Sequence, residues 1–412
     1  MNMHQSFETI FTVLQYGLLF FWAYWFLISL FGFGKAKKMK MQAPSKRFLI
    51  MIPSHNEEAV IGNLVSNLKD LDYPDELYEI CVIADNCNDD TAKIARNNGA
   101  QVVEHFYLPG EPKGKPYGIK YAVDQYGDRI TKDFDAIVIF DADNLVSLNY
   151  LKEMNNHLLN GEKLIQCYLD SKNPADNLMT LGYAASYYYM NRTWQLAKYR
   201  LGLGNAIGGT GFCVDTKLWN EIGWTATSLT EDLEFTIQCA LKGEKATWSH
   251  NARIYDEKPE RLKASMVQRL RWSRGHWDIL FRYAGKLMKK VFKGDVLALD
   301  SLMYLLNPAK ILLEYSVAII MIISFVFDLG LKNSIIPLQV WIGLLAFQVI
   351  YLFYSLTIDT KTKYNKIKGI FALWFFNLTY VPLMFWALFT MNNKNWNPTQ
   401  HTRSVDLESL AG

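Results

Sequence analysis

A long stretch without charged residues near the N-terminus constrains the fold of this chain more than any other feature. No Asp, Glu, Lys or Arg occurs between Glu8 and Lys35, and the stretch is longer than the roughly 20 residues that a helix needs to cross a bilayer. A signal peptide has a shorter apolar core and a small-residue cleavage site, neither of which is present here. We therefore expect residues 1–35 to form an uncleaved transmembrane anchor.

A basic segment follows the anchor directly. The sequence KAKKMKMQAPSKR begins at Lys35, and the positive-inside rule places such a segment in the cytoplasm, with the short N-terminus outside. The next region, about 250 residues of ordinary globular composition, is therefore expected to be the cytoplasmic part of a multi-pass protein of the cell membrane. It contains no run long enough to span a bilayer, which argues against a transporter.

The C-terminal part, residues 296–393, carries further apolar segments that are candidates for membrane helices. The first of them contains Lys310 and Glu314, which are four residues apart and can pair on one helix face. The segments are residues 305–327, 333–358 and 369–393.

The location of the tail, residues 394–412, depends on how many of these segments cross the membrane. If all three crossed, the chain would end outside the cell. The basic sequence KTKYNKIK, however, indicates a cytoplasmic loop before the last segment. We therefore expect the last segment to be re-entrant or interfacial, with a break at Pro382, and the tail to lie inside.

The charge balance and the cysteines narrow the function classes further. A net charge of +3, concentrated beside the membrane segments, is too small to suggest a nucleic-acid partner, and the lipid bilayer is the expected partner instead. The five cysteines are odd in number and form no Cys-x-x-Cys pair. We expect reduced, mostly buried thiols on the cytosolic side of the membrane.

Strand-like and helix-like patterns alternate from Arg47 onwards. Short apolar runs such as RFLIMIPS, YEICVIAD and AIVIFDAD are separated by longer amphipathic ones such as EEAVIGNLVSNLKDL. This alternation predicts βαβ units and an α/β domain at residues 45–257 with a Rossmann-like, mostly parallel sheet. Ligands of such sheets bind at the carboxyl ends of the strands.

Polar residues close three of the predicted strands. Any one of them is explained equally well as a turn former or a helix cap, but three successive strands with the same ending favour a shared crevice. Asp141 and Asp143, separated by one residue after an apolar strand, offer the hard oxygen ligands that suit Mg²⁺ or Mn²⁺ bridging to substrate phosphates. The usual glycine-rich nucleotide fingerprints match poorly.

The segment SLTEDLEFTIQ places several carboxylates at a predicted helix start. In a structural interpretation Thr230 caps the helix, and the acids oppose the positive end of its dipole. In a functional one, a carboxylate facing a cleft acts as a general base. The segment alone does not decide between them.

The motifs PSHNEE, ADNCNDDT, KGKPYGIKYAV, DAD, GGTGF, TED and QRLRW follow one another in this order. Together they resemble the membrane-integrated family 2 glycosyltransferases with a GT-A fold, the group of cellulose, hyaluronan and poly-N-acetylglucosamine synthases. The resemblance covers Arg47 to Trp272, and the flanking membrane helices agree with it. It implies a GT-A domain inserted between transmembrane helices, with amphipathic interface helices at residues 258–292.

The resemblance also implies a donor site for a UDP-sugar and a divalent metal, Mg or Mn. Asp143 would bind the metal together with Asp141. The second strand ends in DNCNDD in place of the Asp-Asp-Gly-Ser form common in the family. The division of the donor-binding role between Asp85 and Asp89 therefore stays open. The donor-binding residues would be Pro53, Asn56, Glu57, Asp85, Lys115, Asp141 and Arg271.

On the acceptor side, the resemblance makes Asp232 the general base, with Glu234 structural. The helix that carries Gln-x-x-Arg-Trp could instead be a basic amphipathic helix on the inner leaflet, charged by Arg269 and its neighbours; both interpretations can hold. In the tail, Trp396, Thr399 and Arg403 resemble an element that some relatives return to the nucleotide. The acceptor-binding residues would be Glu231, Gln268, Trp272, Gly209 and Thr210, the last two in a glycine loop that is otherwise a plain connection.

The leading hypothesis is an inverting, processive synthase that builds a β-linked polysaccharide from UDP-Glc or UDP-GlcNAc and passes it through its own membrane helices. Its partners would be the UDP-sugar, the growing polymer and accessory export subunits. A non-processive transferase acting on a lipid carrier and an inactive nucleotide-binding subunit are the alternatives. The acids at positions 141, 143 and 232 are intact, which favours an active enzyme.

Overall fold

A computed structural model describes residues 3–36, 38–327, 336–360 and 366–395, together with residues 403, 405 and 407. Its described strands form one sheet in the order β3-β2-β1-β4-β7-β6-β8-β5. The strands are β1 (Phe48–Ser54), β2 (Tyr78–Asp85), β3 (Gln101–His105), β4 (Ala136–Ile139), β5 (Leu145–Val146), β6 (Leu164–Ser171), β7 (Phe212–Asp215) and β8 (Ala246–Asp256).

The sheet is mixed and mostly parallel, as predicted. Strand β1 pairs in parallel with β2 and β4, β2 with β3, and β6 with β8, while β7 runs antiparallel between β4 and β6. The strands at the centre are buried on both faces, which is why they read as continuous apolar runs in the sequence. The carboxyl ends of β1, β2 and β4 therefore meet at one edge of the sheet.

Helices cover both faces of this sheet and create a separate apolar core on each side. Apolar residues of α2 and α6 belong to one core, and those of α4, α9 and α10 to the other. The helices of the α/β domain are α2 (Ile61–Lys69), α3 (Thr91–Asn97), α4 (Lys115–Tyr126), α5 (Arg129–Asp133), α6 (Tyr150–Leu159), α7 (Leu178–Met190), α8 (Ala197–Leu201), α9 (Thr216–Ile222) and α10 (Glu231–Leu241).

Four helices among the described residues are long and apolar enough to cross a membrane, one before the α/β domain and three after it. Lys310 and Glu314 form the expected pair on the first C-terminal one, with 3.0 Å between Nζ and Oε2. These helices are α1 (Met3–Ser29), α13 (Asn307–Val326), α14 (Leu338–Ile358) and α15 (Lys366–Thr390). Two helices connect the sheet to them, α11 (Leu262–Val291) and α12 (Val296–Leu305).

The expected break at Pro382 was wrong, because α15 continues through the proline. Packing on two sides stabilises α15 at this point, since it contacts α7 of the α/β domain and the connecting helix α11. The Arg269 guanidinium donates to the carbonyl of Phe376 at 3.0 Å, and the Trp277 indole N–H donates to the carbonyl of Met384 at 3.0 Å. Because neighbouring helices hold α15 in place, the helix tolerates the loss of the one backbone hydrogen bond that a proline cannot form.

A buried ion-pair network joins the α/β domain to two of the candidate membrane helices. Arg192, in a π-helical turn after α7, makes a two-pronged contact of 2.5 and 2.6 Å with Asp359 at the end of α14. Its remaining nitrogen donates to the carbonyl of Gly32 after α1 at 3.0 Å, and His250 of β8 lies 3.2 Å from the same carboxylate. Both charged side chains are at most 3% exposed, so the pair is shielded from water.

Candidate active site at the carboxyl edge of the sheet

A cavity of about 1040 Å³ opens at the carboxyl ends of β1, β2 and β4 and continues between the membrane helices. Nearly all residues predicted for the site line this cavity. They are Pro53, Glu57, Asp85, Lys115, Asp141, Asp143, Gly209, Thr210, Glu231, Asp232, Gln268, Arg271 and Trp272.

Asn56 is the exception among the predicted donor residues, because its side chain supports a loop and does not line the cavity. Its backbone has a positive φ of 56°, which asparagine tolerates better than most residues. Its Oδ1 accepts a hydrogen bond from the backbone N–H of Asn88 at 2.9 Å. Asn56 thus fixes the neighbouring loop.

Asp85 and Asp89, between which the sequence left the donor-binding role open, occupy different positions in the structure. Asp85 ends β2, lines the cavity and is 5% exposed. Asp89 closes its own loop, since its carboxylate accepts hydrogen bonds from the backbone N–H groups of Thr91 and Glu58, each at 3.1 Å. Asp85 is therefore the member of the pair that can meet a ligand.

Lys115, the first residue of α4, draws three parts of the site together. Its ammonium lies 2.5 Å from Asp141 and donates to the carbonyl of Gly209 at 2.6 Å. It is also 4.0 Å from Glu231 at the start of α10. One cation thus links the end of β4, the glycine loop and the first residue of α10.

The two acids after β4 have different partners: the glycine loop holds Asp141, and the backbone after β8 holds Asp143. The backbone N–H of Asp141 donates to the Thr210 hydroxyl at 2.9 Å, and that hydroxyl donates to Asn144. Asp143 is 4% exposed and accepts from the backbone N–H of Glu257 at 2.9 Å. Both acids line the cavity, and their carboxylate oxygens are the hard ligands that suit a divalent metal.

Asp232 lies against the other side of this loop. A Cβ atom on Gly209, whose φ is 80°, would sit 3.3 Å from Oδ2 of Asp232, so glycine permits the close approach. Burial raises the pKa of Asp232 to about 7, with a further contribution from the charge of Glu231, while Lys115 and Arg271 act in the opposite direction. A carboxyl group with a pKa near neutrality is suited to accept a proton.

The helix start at Thr230 differs from the structural interpretation of the sequence. Its hydroxyl makes no capping hydrogen bond, because α11 crosses directly over it: a Cβ atom on Gly275 would lie 2.4 Å from the Thr230 Oγ1. Glu234 is structural, as expected. It is 1% exposed and binds Arg282 at 2.7 Å and the Tyr283 hydroxyl at 2.8 Å.

The Gln-x-x-Arg-Trp helix presents its motif to the cavity. Gln268 accepts from the Tyr183 hydroxyl at 2.9 Å, and the ring of Trp272 stands edge-on to Tyr183 at 6.3 Å. Arg269 was wrongly expected to add charge at a membrane surface. It is fully buried, and besides Phe376 it donates to the Thr379 hydroxyl at 3.0 Å, because α15 covers this face of α11.

Sequence reasoning assigned no site role to the residues that extend the cavity between the candidate membrane helices, although it named Lys310 and Glu314 as a pair. Polar side chains inside apolar helices are a signal that could have revealed them, since such residues usually face a cavity or a partner. The additional lining residues are Tyr187, Tyr304, Asn307, Lys310, Glu314, Tyr315, Trp341, Gln348, Trp374, Asn377 and Tyr380.

Arg403 of the tail contacts the rim of the α/β domain. Its backbone N–H donates to Glu257 at 3.0 Å, and its guanidinium binds Glu260 at 3.2 Å and also contacts Asp176. This part of the tail thus lies beside the backbone that supports Asp143. Trp396 and Thr399, the other two tail candidates, lie outside the described residues.

Known proteins resemble this chain in both sequence and fold. It is 24% identical over 354 residues to the probable glycosyltransferase YdaM of Bacillus subtilis, which covers 82% of this chain and 81% of that protein. It is 27% identical over 244 residues to a β-monoglucosyldiacylglycerol synthase of Synechocystis sp. and to a poly-β-1,6-N-acetyl-D-glucosamine synthase of Staphylococcus aureus. These matches cover 58% of this chain but only 50% and 57% of the two synthases.

The fold is similar to that of a mannosyltransferase, PcManGT, from Pyrobaculum calidifontis, solved in complex with GDP-Man and Mn²⁺. The TM-score is 0.56 at 15% identity, over 92% of this chain and 98% of the other. This likeness agrees with the predicted GT-A fold. A family model described as "Glycosyltransferase like family 2" matches residues 44–275, more than half of the chain. The protein therefore belongs to glycosyltransferase family 2.

Proposed function

We propose that the protein is an inverting transferase that uses a UDP-sugar, UDP-Glc or UDP-GlcNAc, to extend a β-linked polysaccharide. One observation carries this proposal. Asp232, a carboxyl group with a pKa of about 7, faces the cation and acids of a donor site across a single glycine loop. That arrangement brings a base for an acceptor next to groups that suit a diphosphate.

On the donor side, Asp141 and Asp143 would hold Mg²⁺ or Mn²⁺, and Lys115 and Arg271 line the same space. A bound divalent cation would neutralise charge that develops on the diphosphate leaving group. The mannosyltransferase of similar fold, PcManGT, was solved with GDP-Man and Mn²⁺, which supports a metal of this class. The two cationic side chains add further positive charge where the leaving group departs.

On the acceptor side, Asp232 would take the proton of a sugar hydroxyl while that oxygen forms a bond to the anomeric carbon. The bond from this carbon to UDP breaks in the same step, and UDP leaves with the electron pair. One displacement from an α-linked donor gives a β-linkage. A sugar hydroxyl is a poor nucleophile near pH 7, so removal of its proton as attack proceeds lowers the barrier.

The cavity favours a saccharide over a lipid as the acceptor. Beyond Trp272 it continues between the membrane helices, where Asn377, Gln348 and the Lys310–Glu314 pair line it together with several aromatic rings. Rings and hydrogen-bonding groups suit a sugar chain, which can stack on the rings and form hydrogen bonds with the polar side chains. The two 27%-identical relatives are named for a polymer and for a glycolipid, and this lining supports the polymer.

The proposed topology has α1, α13 and α14 crossing the membrane and α15 lying at the cytoplasmic interface. Two observations support it: α15 packs along α7 and α11 of the catalytic domain, and Arg403 contacts the rim of that domain. Three crossings from an outside N-terminus leave both the catalytic domain and the tail in the cytoplasm. The catalytic domain is then on the side where UDP-sugars are made.

The direct test uses membranes that contain the protein and a panel of radiolabelled UDP-sugars. We expect one sugar to be incorporated into a long product that a defined β-glycanase degrades. A product of single additions that partitions with lipid would support transfer to a lipid carrier instead. The absence of incorporation from every UDP-sugar would contradict the donor assignment.

Filling the membrane part of the cavity is expected to shorten the product. In Ala318→Trp a large ring would enter the cavity from α13, so the polymer path would narrow while the donor site stays unchanged. We expect a clear fall in product length on gels with nearly unchanged UDP affinity. The matched control is Ile319→Trp, because Ile319 is 53% exposed on the outside of the same helix and its replacement should leave product length unchanged.

The activity is expected to depend on the ionisation of Asp232. Since the base must be deprotonated, kcat/KM should fall as the pH drops below about 7. The charge of Glu231 contributes to this high pKa, so Glu231→Gln should lower the pKa and move the acidic limb to lower pH, whatever its effect on maximal rate. A pH–rate profile for both proteins checks this, and an unmoved limb would show that another group titrates.

A further inference from the structure

The carboxylate of Asp85 is fixed by side chains that the catalytic motifs do not include. The Nδ1–H of His105, the last residue of β3, donates to one oxygen at 2.8 Å. The Tyr107 hydroxyl donates to the other oxygen. Helix α4 also passes close to this carboxylate, because a Cβ atom added to Gly118 would lie 3.1 Å from the carboxyl carbon. Asp85 therefore has little freedom to turn within its pocket.

His105 and Tyr107 are each held in place by a further contact. The His105 ring stacks on Tyr121 of α4, with 4.3 Å between ring centroids and 23° between planes. The Tyr107 hydroxyl accepts the backbone N–H of Gly114 at 2.9 Å. Gly114 directly precedes Lys115, so the same hydroxyl connects Asp85 to the residue that presents the cation of the donor site.

We propose that His105 and Tyr107 are positioning residues that aim Asp85 at the N3–H of a uracil ring. This inference rests on the proposed use of a UDP-sugar. A carboxylate only accepts hydrogen bonds, so the nucleobase of the proposed UDP-sugar must offer it an N–H donor. Uracil does so at N3, whereas cytosine has an acceptor there. Because each Asp85 oxygen already has one protein donor, its direction is set before the nucleotide arrives.

Positioning of this kind acts on binding and not on the chemical step. The uracil ring is remote from the bond that breaks. Its contact with Asp85 therefore contributes equally to the ground state and the transition state. Loss of either positioning residue should therefore raise KM for the donor several-fold, with kcat nearly unchanged. The effect should also depend on the N3–H itself, which a purely structural role would not produce.

The experiment compares the affinities of UDP and N3-methyl-UDP for the full-length protein in detergent, by calorimetry. Wild type should prefer UDP by about tenfold or more, the range for a hydrogen bond to a charged group. In Tyr107→Phe and His105→Leu this preference should fall to about threefold or less. His105→Asn, whose amide nitrogen can replace Nδ1 as donor, should retain most of it.

The matched control is His157→Leu. His157 forms a pair of the same length, 2.8 Å, with Glu162, but it does not line the cavity, so the preference for UDP should stay at the wild-type value. An unchanged preference in both Tyr107→Phe and His105→Leu would overturn the positioning role. Equal affinity of the wild type for both nucleotides would likewise overturn the inference, because N3–H would then not be recognised. A wild-type protein that binds neither nucleotide would instead contradict the proposed donor.

Discussion

Replacement of Asp232 by Asn is expected to lower kcat by about three orders of magnitude while UDP binding persists, since general-base catalysis contributes about 10²–10⁴-fold. Asparagine keeps the size of the side chain, and its oxygen can still accept the backbone N–H of Leu233, now at 2.8 Å from Asp232. It cannot take a proton from the acceptor hydroxyl. Steady-state rates and UDP calorimetry on the same preparation measure both quantities.

Two matched variants make this prediction specific. Glu234→Gln alters a carboxylate two residues away that binds Arg282 and Tyr283, so it should affect stability more than the rate of transfer. Asp143→Asn should weaken metal-dependent UDP binding, which Asp232→Asn should not. If Asp232→Asn instead lost UDP affinity or retained more than about a tenth of kcat, Asp232 would not be the base.

The second large effect is expected on stability, from Arg192→Met. This substitution leaves the Asp359 carboxylate 3% exposed and without its two-pronged partner, while His250 remains 3.2 Å away. Removal of one member of a buried ion pair costs about 3–5 kcal/mol, because the remaining charge is not solvated. We expect a loss of this size in the free energy of unfolding, measured by denaturant titration in detergent.

An exposed ion pair provides the comparison. Lys120 and Asp124 on α4 lie 2.7 Å apart but are 57% and 58% exposed, so Lys120→Met should change the unfolding free energy by less than about 1 kcal/mol. The double variant Arg192→Met/Asp359→Leu should recover part of the loss, since it removes both charges. If Lys120→Met and Arg192→Met lowered the free energy of unfolding by the same amount, burial would not be the cause of the loss.

The alternation of apolar and amphipathic runs was sufficient to predict the α/β sheet. Strands β1, β2 and β4 are buried on both faces, so they read as short continuous apolar runs, and their ends carry Asp85 and Asp141. The order of motifs then predicted which residues line the cavity. Asn56 is the predicted donor residue that does not line it, because a loop asparagine with positive φ has the same letter whether it faces a cavity or binds a neighbouring loop.

The sequence by itself determined the parts of this protein that depend on local periodicity and on residue type: the apolar helices, the parallel strands and the acids that follow them. Only the tertiary structure decided which groups meet. Arg269 is polar in sequence yet fully buried, because α15 returns more than 100 residues later to cover it. The pKa of Asp232 likewise depends first on burial, and also on the charges of Lys115 and Arg271, which two other helices bring close to it. Such contacts arise from packing between distant segments, and packing leaves no period in the chain.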